Sequence, residues 1–167
     1  MLKTPFALAI LLTALGALPF LAFTAVVLLQ PVGSPTAIEG LIAYGAVILS
    51  FLGAVHWGFA LRETAHPVAE KLPPATLGAE TQLLGFGVVP ALIAWAALAI
   101  MLHFHAPVLA LFVLLVGFFL TVVVETIGRG RGVVALNYLI LRWSASVVVL
   151  LCLLVTLGAV LSGMRVG

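Results

Sequence analysis

A few ionisable side chains interrupt otherwise apolar stretches of this sequence. Glu125 and Arg142 are an acid and a base inside two such stretches, and His56 lies inside a third. A charged side chain within a membrane span is costly, so it marks a candidate functional site and usually has a partner inside the helix bundle. The sequence therefore predicts a contact between Glu125 and Arg142, with His56 as a third member. Such a group could bind a ligand or handle a proton.

The complete candidate cluster combines side chains that lie at one depth near the same end of four apolar stretches. Its members are His56, Trp57, Glu80, Gln82, Glu125, Arg142 and Trp143. A purely structural role is the competing interpretation. Glu125 and Arg142 then form a salt bridge that holds the bundle together, or Arg142 extends to the lipid headgroups while Glu125 caps its helix at the water boundary. The residues alone leave this choice open.

The sequence contains no recognisable catalytic motif. It has no Gly-rich phosphate loop, no HExxH, no GxSxG and no acidic pair in the middle of an apolar stretch. His56 has no second His four residues on, so the helical spacing of a metal or haem site is missing. His103 and His105 could ligate a metal or haem only together with a group such as Glu39. We expect a non-enzymatic protein without a metal site and without a resident cofactor.

Composition excludes a soluble fold. Hydrophobic residues make up 65% of the 167 residues and charged residues 7%, whereas about a quarter of the residues in soluble domains are charged. A hydrocarbon core about 30 Å thick needs about 20 apolar residues in a helix. The predicted spans are about 6–29, 38–61, 81–102, 106–127 and 138–161. We expect an all-α integral membrane protein, a single transmembrane domain over 1–167 that forms one bundle of five helices.

The basic residues predict the orientation of these spans. With five spans, the side that holds the N-terminus carries Lys3, Arg62, Lys71, Arg129, Arg131 and Arg142. The opposite side carries Arg165 alone. By the positive-inside rule the N-terminus is cytoplasmic and the C-terminus is outside, in a bacterial inner membrane or, in a eukaryote, the mitochondrial inner membrane. The net charge of +2 comes from scattered rather than clustered residues, which makes nucleic acid an unsuitable partner.

Small residues recur at helical spacing in the second predicted span. They are Ala46, Ser50, Ala54 and Gly58, with Gly53 beside them. Small side chains let helix backbones approach closely in lipid, so this pattern predicts that span 38–61 is central in the bundle. The alternative is that Ala and Gly are simply common in membrane helices. Pro19 and Pro90 predict kinks, whose freed carbonyl groups neighbouring helices or hydroxyls must satisfy.

Several segments of the chain resemble one family. Segment 44–58, YGAVILSFLGAVHWG, resembles the signature of the domain-of-unknown-function 3429 family, which includes mitochondrial transmembrane protein 69 and many proteobacterial members. Segments 15–20 (LGALPF), 89–95 (VPALIAW) and 138–143 (YLILRW) extend the resemblance over nearly the whole chain. It implies a five-span fold and carries no established activity. It draws attention, without assigning roles, to His56, Trp57, Pro90, Glu125 and Arg142.

Two functional hypotheses follow from these observations. The first is a non-enzymatic accessory, assembly or scaffold subunit, which packs in the lipid bilayer against other membrane proteins or against a second copy of itself through small-residue faces. The alternative is a binder of a lipophilic small molecule, such as a lipid, a quinone or a tetrapyrrole, in a cavity between helices near the cytoplasmic side. A bundle interior filled by side chains at that position would exclude the second hypothesis.

Overall fold

A computed structural model describes residues 5–30, 34–64, 77–130 and 136–162 of the chain. Within these ranges, side chains are described except at 5–6, 34, 56, 58–64, 77–84, 86, 128–130 and 136–139. The helices are α1 (Pro5–Leu29), α2 (Ser34–Thr64), α3 (Leu77–Phe104), α4 (Pro107–Gly130) and α5 (Leu136–Leu161). All five are long and apolar enough to cross a membrane. The chain is a multi-pass, all-α membrane protein, and the predicted five-helix fold is confirmed.

The helices extend beyond the apolar windows that the sequence shows. α2 runs from Ser34 to Thr64 and α3 from Leu77 to Phe104, whereas the spans predicted from hydropathy are 38–61 and 81–102. Hydropathy locates the part of a helix that lies in hydrocarbon, but helical hydrogen bonds continue into the headgroup region, where polar residues are tolerated. The predicted spans therefore lie close to the observed helices and underestimate the lengths of α2 and α3.

A two-residue turn joins α3 and α4. His105 has a φ of 48°, in the left-handed region where His is found more often than most other non-glycine residues, and its N–H donates to the carbonyl of Met101 at 3.1 Å. A left-handed residue of this kind terminates a helix. Pro107 then begins α4, because its fixed φ suits the first helical position. The turn makes α3 and α4 antiparallel neighbours.

The packing order of the helices places α2 and α4 in the interior. α2 packs against α1, α3 and α4, while α4 packs against α2, α3 and α5, and a contact between α1 and α5 closes the bundle. The membrane-spanning segment of α2 has a larger buried share than that of any other helix. The sequence predicted a central α2 and did not distinguish α4.

Two glycines bring the backbones of α2 and α3 together. A Cβ atom at Gly53 would overlap the carbonyl oxygen of Gly87, and a Cβ atom at Gly87 would overlap the indole ring of Trp57. Neither position accepts a larger residue without a shift of backbone or of a large aromatic side chain. This close approach is the packing role that the sequence predicted for Gly53.

The packing face of α2 follows a seven-residue spacing rather than a four-residue spacing. Ala46 is buried, whereas Ala54 is exposed. At 3.6 residues per turn, Ala54 lies about 80° around the helix from Ala46, while Gly53 lies only about 20° away. Ser50 is half-buried and donates its hydroxyl to the carbonyl of Ala46 within the same helix. Gly58 lies outside the described side chains.

We predict that Gly53→Ala destabilises the bundle through the α2–α3 contact. The new methyl group must displace the Gly87 backbone, and overpacking of this kind costs about 1–3 kcal/mol. The free energy of unfolding, measured by titration with a denaturing detergent, reports the loss. Gly158→Ala is the matched control, since a Cβ atom there meets no atom within 4 Å; we expect it to be neutral or slightly stabilising. Equal stability of the two variants would contradict the close approach.

Candidate functional site

A salt bridge joins α4 and α5 near one end of the bundle. Nε of Arg142 donates to both carboxylate oxygens of Glu125, each at 2.9 Å. The side chain of Glu125 is 2% exposed and that of Arg142 is 12% exposed. Glu125 belongs to the last two turns of α4 and Arg142 to the second turn of α5, so the two antiparallel helices place them at the same depth. The contact predicted from the sequence is present.

Most of the hydrogen-bonding capacity of Arg142 stays outside this salt bridge. A guanidinium group has five N–H donors, and the salt bridge uses only the one on Nε. Nη2 is buried and has no hydrogen-bond partner among the described residues. A buried donor without a partner costs about 1–3 kcal/mol, and more when it is charged. The salt bridge alone therefore leaves Nη2 of Arg142 without a hydrogen-bond acceptor among the described residues.

A cavity of about 230 Å³ adjoins Arg142 between α1, α2, α4 and α5. The residues that line it are Leu12, Thr13, Gly16, Ala17, Phe20, Ile48, Phe51, Leu52, Phe118, Arg142, Ala145, Ser146 and Val149. Arg142 is the charged member of this lining. Ser146 lies one helical turn from it on the same face of α5, so the polar groups on α5 gather toward one end of an otherwise apolar space.

The cavity is elongated along the helix axes. Arg142 lies six residues after Leu136, the first residue of α5, which is about 9 Å along the helix axis at 1.5 Å per residue. Val149 is the deepest residue of α5 in the lining, and it lies about 10 Å further in. The cavity thus extends from the N-terminal part of α5 toward the middle of the bundle, on the side that the basic residues predict to be cytoplasmic.

Aromatic contacts and a glycine shape the wall on α1. The ring of Phe20 makes edge-to-face contacts with Tyr44 at 5.1 Å and with Phe118 at 6.1 Å between centroids. Tyr44 donates its hydroxyl to the carbonyl of Gly16 at 2.9 Å, next to the carbonyl that Pro19 leaves without a helical donor. A Cβ atom at Gly16 would meet no atom within 4 Å. The absence of a side chain at Gly16 therefore contributes to the open space.

In the half of the α1–α5 interface that lies away from Arg142, buried hydroxyl groups connect the two helices. The hydroxyl of Thr24 lies 3.4 Å from that of Thr156 and 3.5 Å from the carbonyl oxygen of Cys152. All three residues are buried. Contacts between hydroxyls, worth roughly 1 kcal/mol in membrane proteins, hold the two helices together there. The cavity therefore belongs to the Arg142 half of the interface.

The remaining members of the predicted cluster occupy different positions. The indole of Trp57 lies against Gly87 between α2 and α3 and is 45% exposed. Trp143 is 39% exposed, and neither tryptophan belongs to the described lining of the cavity. The side chains of His56, Glu80 and Gln82 lie outside the described residues, so their predicted roles stay predictions.

Sequence reasoning missed the contribution of α1 and of Ser146. Thr13 and Gly16 line the cavity from α1, although no ionisable residue marks this stretch. The available signals were weak: Gly16 stands three residues before the helix-interior Pro19, and Ser146 stands four residues after Arg142.

The described part of the chain contains no group of three or more His, Cys, Asp or Glu residues that could hold a metal ion. The described lining of the cavity also has no His, Cys, Met or Tyr, the residues that ligate haem iron. Glu39, His103 and His105 are exposed at or near the opposite end of the bundle. The arrangement at Arg142 is thus suited to hydrogen bonding in an apolar space rather than to metal chemistry.

Comparison with known protein families identifies a match over most of the chain. A family model described as Protein of unknown function (DUF3429) matches residues 6–158. No curated protein and no solved structure matches the chain. The match includes both residues of the salt bridge and the complete described lining of the cavity.

We predict that Glu125 and Arg142 are energetically coupled. Glu125→Leu and Arg142→Leu should each cost about 3–5 kcal/mol, because each leaves an unpaired charge in a largely dry environment. The double variant should lose less than the sum of the two, since it contains no unpaired charge. Unfolding by denaturing detergent measures all four members of the cycle. Glu39→Gln, on an exposed acid, is the control; additive losses would show that the two residues stabilise the bundle independently.

Proposed function

The chain belongs to the DUF3429 family of proteins of unknown function, and we propose that it is a non-enzymatic multi-pass membrane protein that holds part of a lipophilic molecule beside Arg142. The observation that carries this proposal is a largely buried guanidinium group, with Nη2 lacking a partner in the described residues, at the end of an apolar cavity. A molecule with an apolar body and a hydrogen-bond acceptor matches both features.

A lipophilic chain that fills the cavity would stabilise the bundle. Side chains that line an empty space lose the van der Waals contacts that atoms in that space would make. Because the surrounding solvent in a bilayer is itself a lipophilic liquid, a chain that enters the space from the side recovers these contacts. The bundle is therefore more stable with the cavity filled.

The volume of the cavity restricts the kind of occupant. Pockets that enclose a whole small molecule measure about 300–1,000 Å³, more than the cavity provides. It accommodates one part of a larger molecule, such as a chain or a ring, while the rest stays in the bilayer. A tetrapyrrole is disfavoured further by the absence of iron-ligating side chains from the described lining. A lipid or a quinone fits better.

The accessory-subunit hypothesis receives less support from the geometry. It depended on small-residue faces that other membrane proteins could contact. Ala46 is buried within the bundle, and Gly53 is in contact with α3, so these two small residues serve packing within the chain. Support for a non-enzymatic role comes from the lining, in which the described polar side chains are Thr13, Arg142 and Ser146 and no acid–base pair faces the space.

We predict that Gly16→Leu removes the bound molecule. A leucine side chain at this position starts in open space on the cavity wall and fills part of the volume that the occupant needs. The protein is purified from membranes in mild detergent, and non-covalently retained lipophiles are measured by native mass spectrometry and by organic extraction. We expect at least about a tenfold lower occupancy in Gly16→Leu than in wild type.

Gly158→Leu is the matched control for this experiment. Gly158 is also a helical glycine with no atom within 4 Å of a Cβ position, but it does not belong to the described lining of the cavity. The fraction of Gly158→Leu protein that retains the lipophilic molecule should equal that of the wild type. Retention of the same molecule at the same occupancy in Gly16→Leu would overturn the proposal, as would a folded wild type that retains none.

A further inference from the structure

The charge of Arg142 is already neutralised. Glu125 accepts two hydrogen bonds from Nε at 2.9 Å, so the pair carries no net charge, and no other charged residue lines the described cavity. An anionic group beside Arg142 would add an uncompensated negative charge close to Glu125, where the low dielectric strengthens the repulsion. An uncharged acceptor avoids this cost. The electrostatics therefore select a neutral polar group.

The polar group must also accept without donating. Arg142 has no acceptor atom, and its Nη2 is a donor without a partner among the described residues. A hydroxyl or an amide on the occupant would bring its own hydrogen, which would need an acceptor such as the hydroxyl of Thr13 or Ser146. A carbonyl oxygen brings only lone pairs. A carbonyl is thus the neutral group that meets the requirement of Arg142 at the lowest cost.

The depth of Arg142 identifies which carbonyl is available. Arg142 lies four residues, about 6 Å, inside the span 138–161 that the sequence predicts, and the cavity lining continues about 10 Å further along α5, to Val149. Glycerolipids carry their ester groups at this boundary between headgroups and hydrocarbon, and their acyl chains run inward from it. The order of polar end and apolar body in the cavity is the same as the order in an esterified lipid.

We infer that the cavity takes an acyl chain of an ester-linked membrane lipid, whose ester carbonyl oxygen accepts a hydrogen bond from the guanidinium group of Arg142. This inference rests on the proposed function and names the class of the ligand. Glu125 is a positioning residue in this arrangement, because it holds the guanidinium group through Nε alone. The cavity encloses a segment of the chain while the headgroup stays in the lipid interface.

Two matched phospholipids test the carbonyl. The full-length protein is exchanged into mixed micelles with equal amounts of diester phosphatidylcholine and of its diether analogue, which has the same headgroup and chain lengths and lacks only the carbonyl oxygens. Native mass spectrometry measures which lipid is retained. We expect at least about a tenfold preference for the diester, as for a hydrogen bond to a charged group.

A double variant separates recognition from folding. Glu125→Gln with Arg142→Gln removes both charges together and leaves the cavity-lining residues on α1 and α2 unchanged, so no buried charge is stranded. We expect this variant to bind both lipids without preference. Gly16→Leu should retain neither, and Gly158→Leu should keep the wild-type preference. A persistent diester preference in the double glutamine variant would overturn the role of Arg142.

A second pair of probes tests the charge. Palmitate and methyl palmitate have the same chain, and at pH 9 only palmitate is an anion. We expect methyl palmitate to displace the diester lipid at lower concentration than palmitate does; the reverse order would overturn the choice of a neutral group.

Two further outcomes separate the inference from the proposed function. Equal retention of diester and diether lipids, or displacement of the diester by an equimolar short-chain quinone, would overturn the ester assignment and leave a lipophile-binding cavity in place. Failure of every probe to bind the folded wild-type protein would instead overturn the proposed function. Retention of the diester with loss of binding in Gly16→Leu supports both.

Discussion

The bundle is surrounded by a solvent as apolar as its own side chains, and this constraint determines how its helices hold together. In hydrocarbon, burial of Leu or Val gives little advantage over exposure to lipid, so helix association depends on close van der Waals contact and on polar interactions. Gly53 and Gly87 supply the first between α2 and α3. Glu125 with Arg142, and Thr24 with Thr156, supply the second for α5 against α4 and α1. The apolar composition explains why the chain enters a membrane and leaves the choice of neighbours to these few residues.

The salt bridge between α4 and α5 has structural and chemical consequences that cannot be separated. Its burial makes it a strong constraint on the two helices, because either charge alone would be costly. Its geometry uses a single donor of the guanidinium group, and the same residue that joins α4 to α5 also lines the cavity. The alternatives of a structural salt bridge and a ligand site are therefore compatible, because the proposed ligand would use N–H groups of Arg142 other than the one that Glu125 binds.

The sequence predicted the helix count and the Glu125–Arg142 contact but only part of the packing face. Five apolar stretches of sufficient length require five helices, since backbone groups in hydrocarbon must be satisfied within each segment. Ala54 shows where the prediction was incomplete: a four-residue repeat drifts around the helix, and the face that contacts α3 passes through Gly53 instead. Trp57 shows a second gap, because its position next to His56 in the sequence indicates nothing about Gly87, which only the crossing of α2 and α3 brings beneath its ring.

The amino-acid sequence alone determined that this chain forms five membrane-spanning helices, because its apolar stretches alternate with polar loops. It also determined that an acid and a base, Glu125 and Arg142, lie at the same end of two consecutive helices. Both follow from properties of single segments: length, hydropathy and the antiparallel order of consecutive spans. Only the tertiary structure decided that α1 closes against α5 in one half and leaves a cavity in the other. That outcome depends on Gly16, Phe20 and Ser146, which line the cavity from helices distant in sequence. The volume left between helices follows from the shapes of all of them together and is encoded in no single segment.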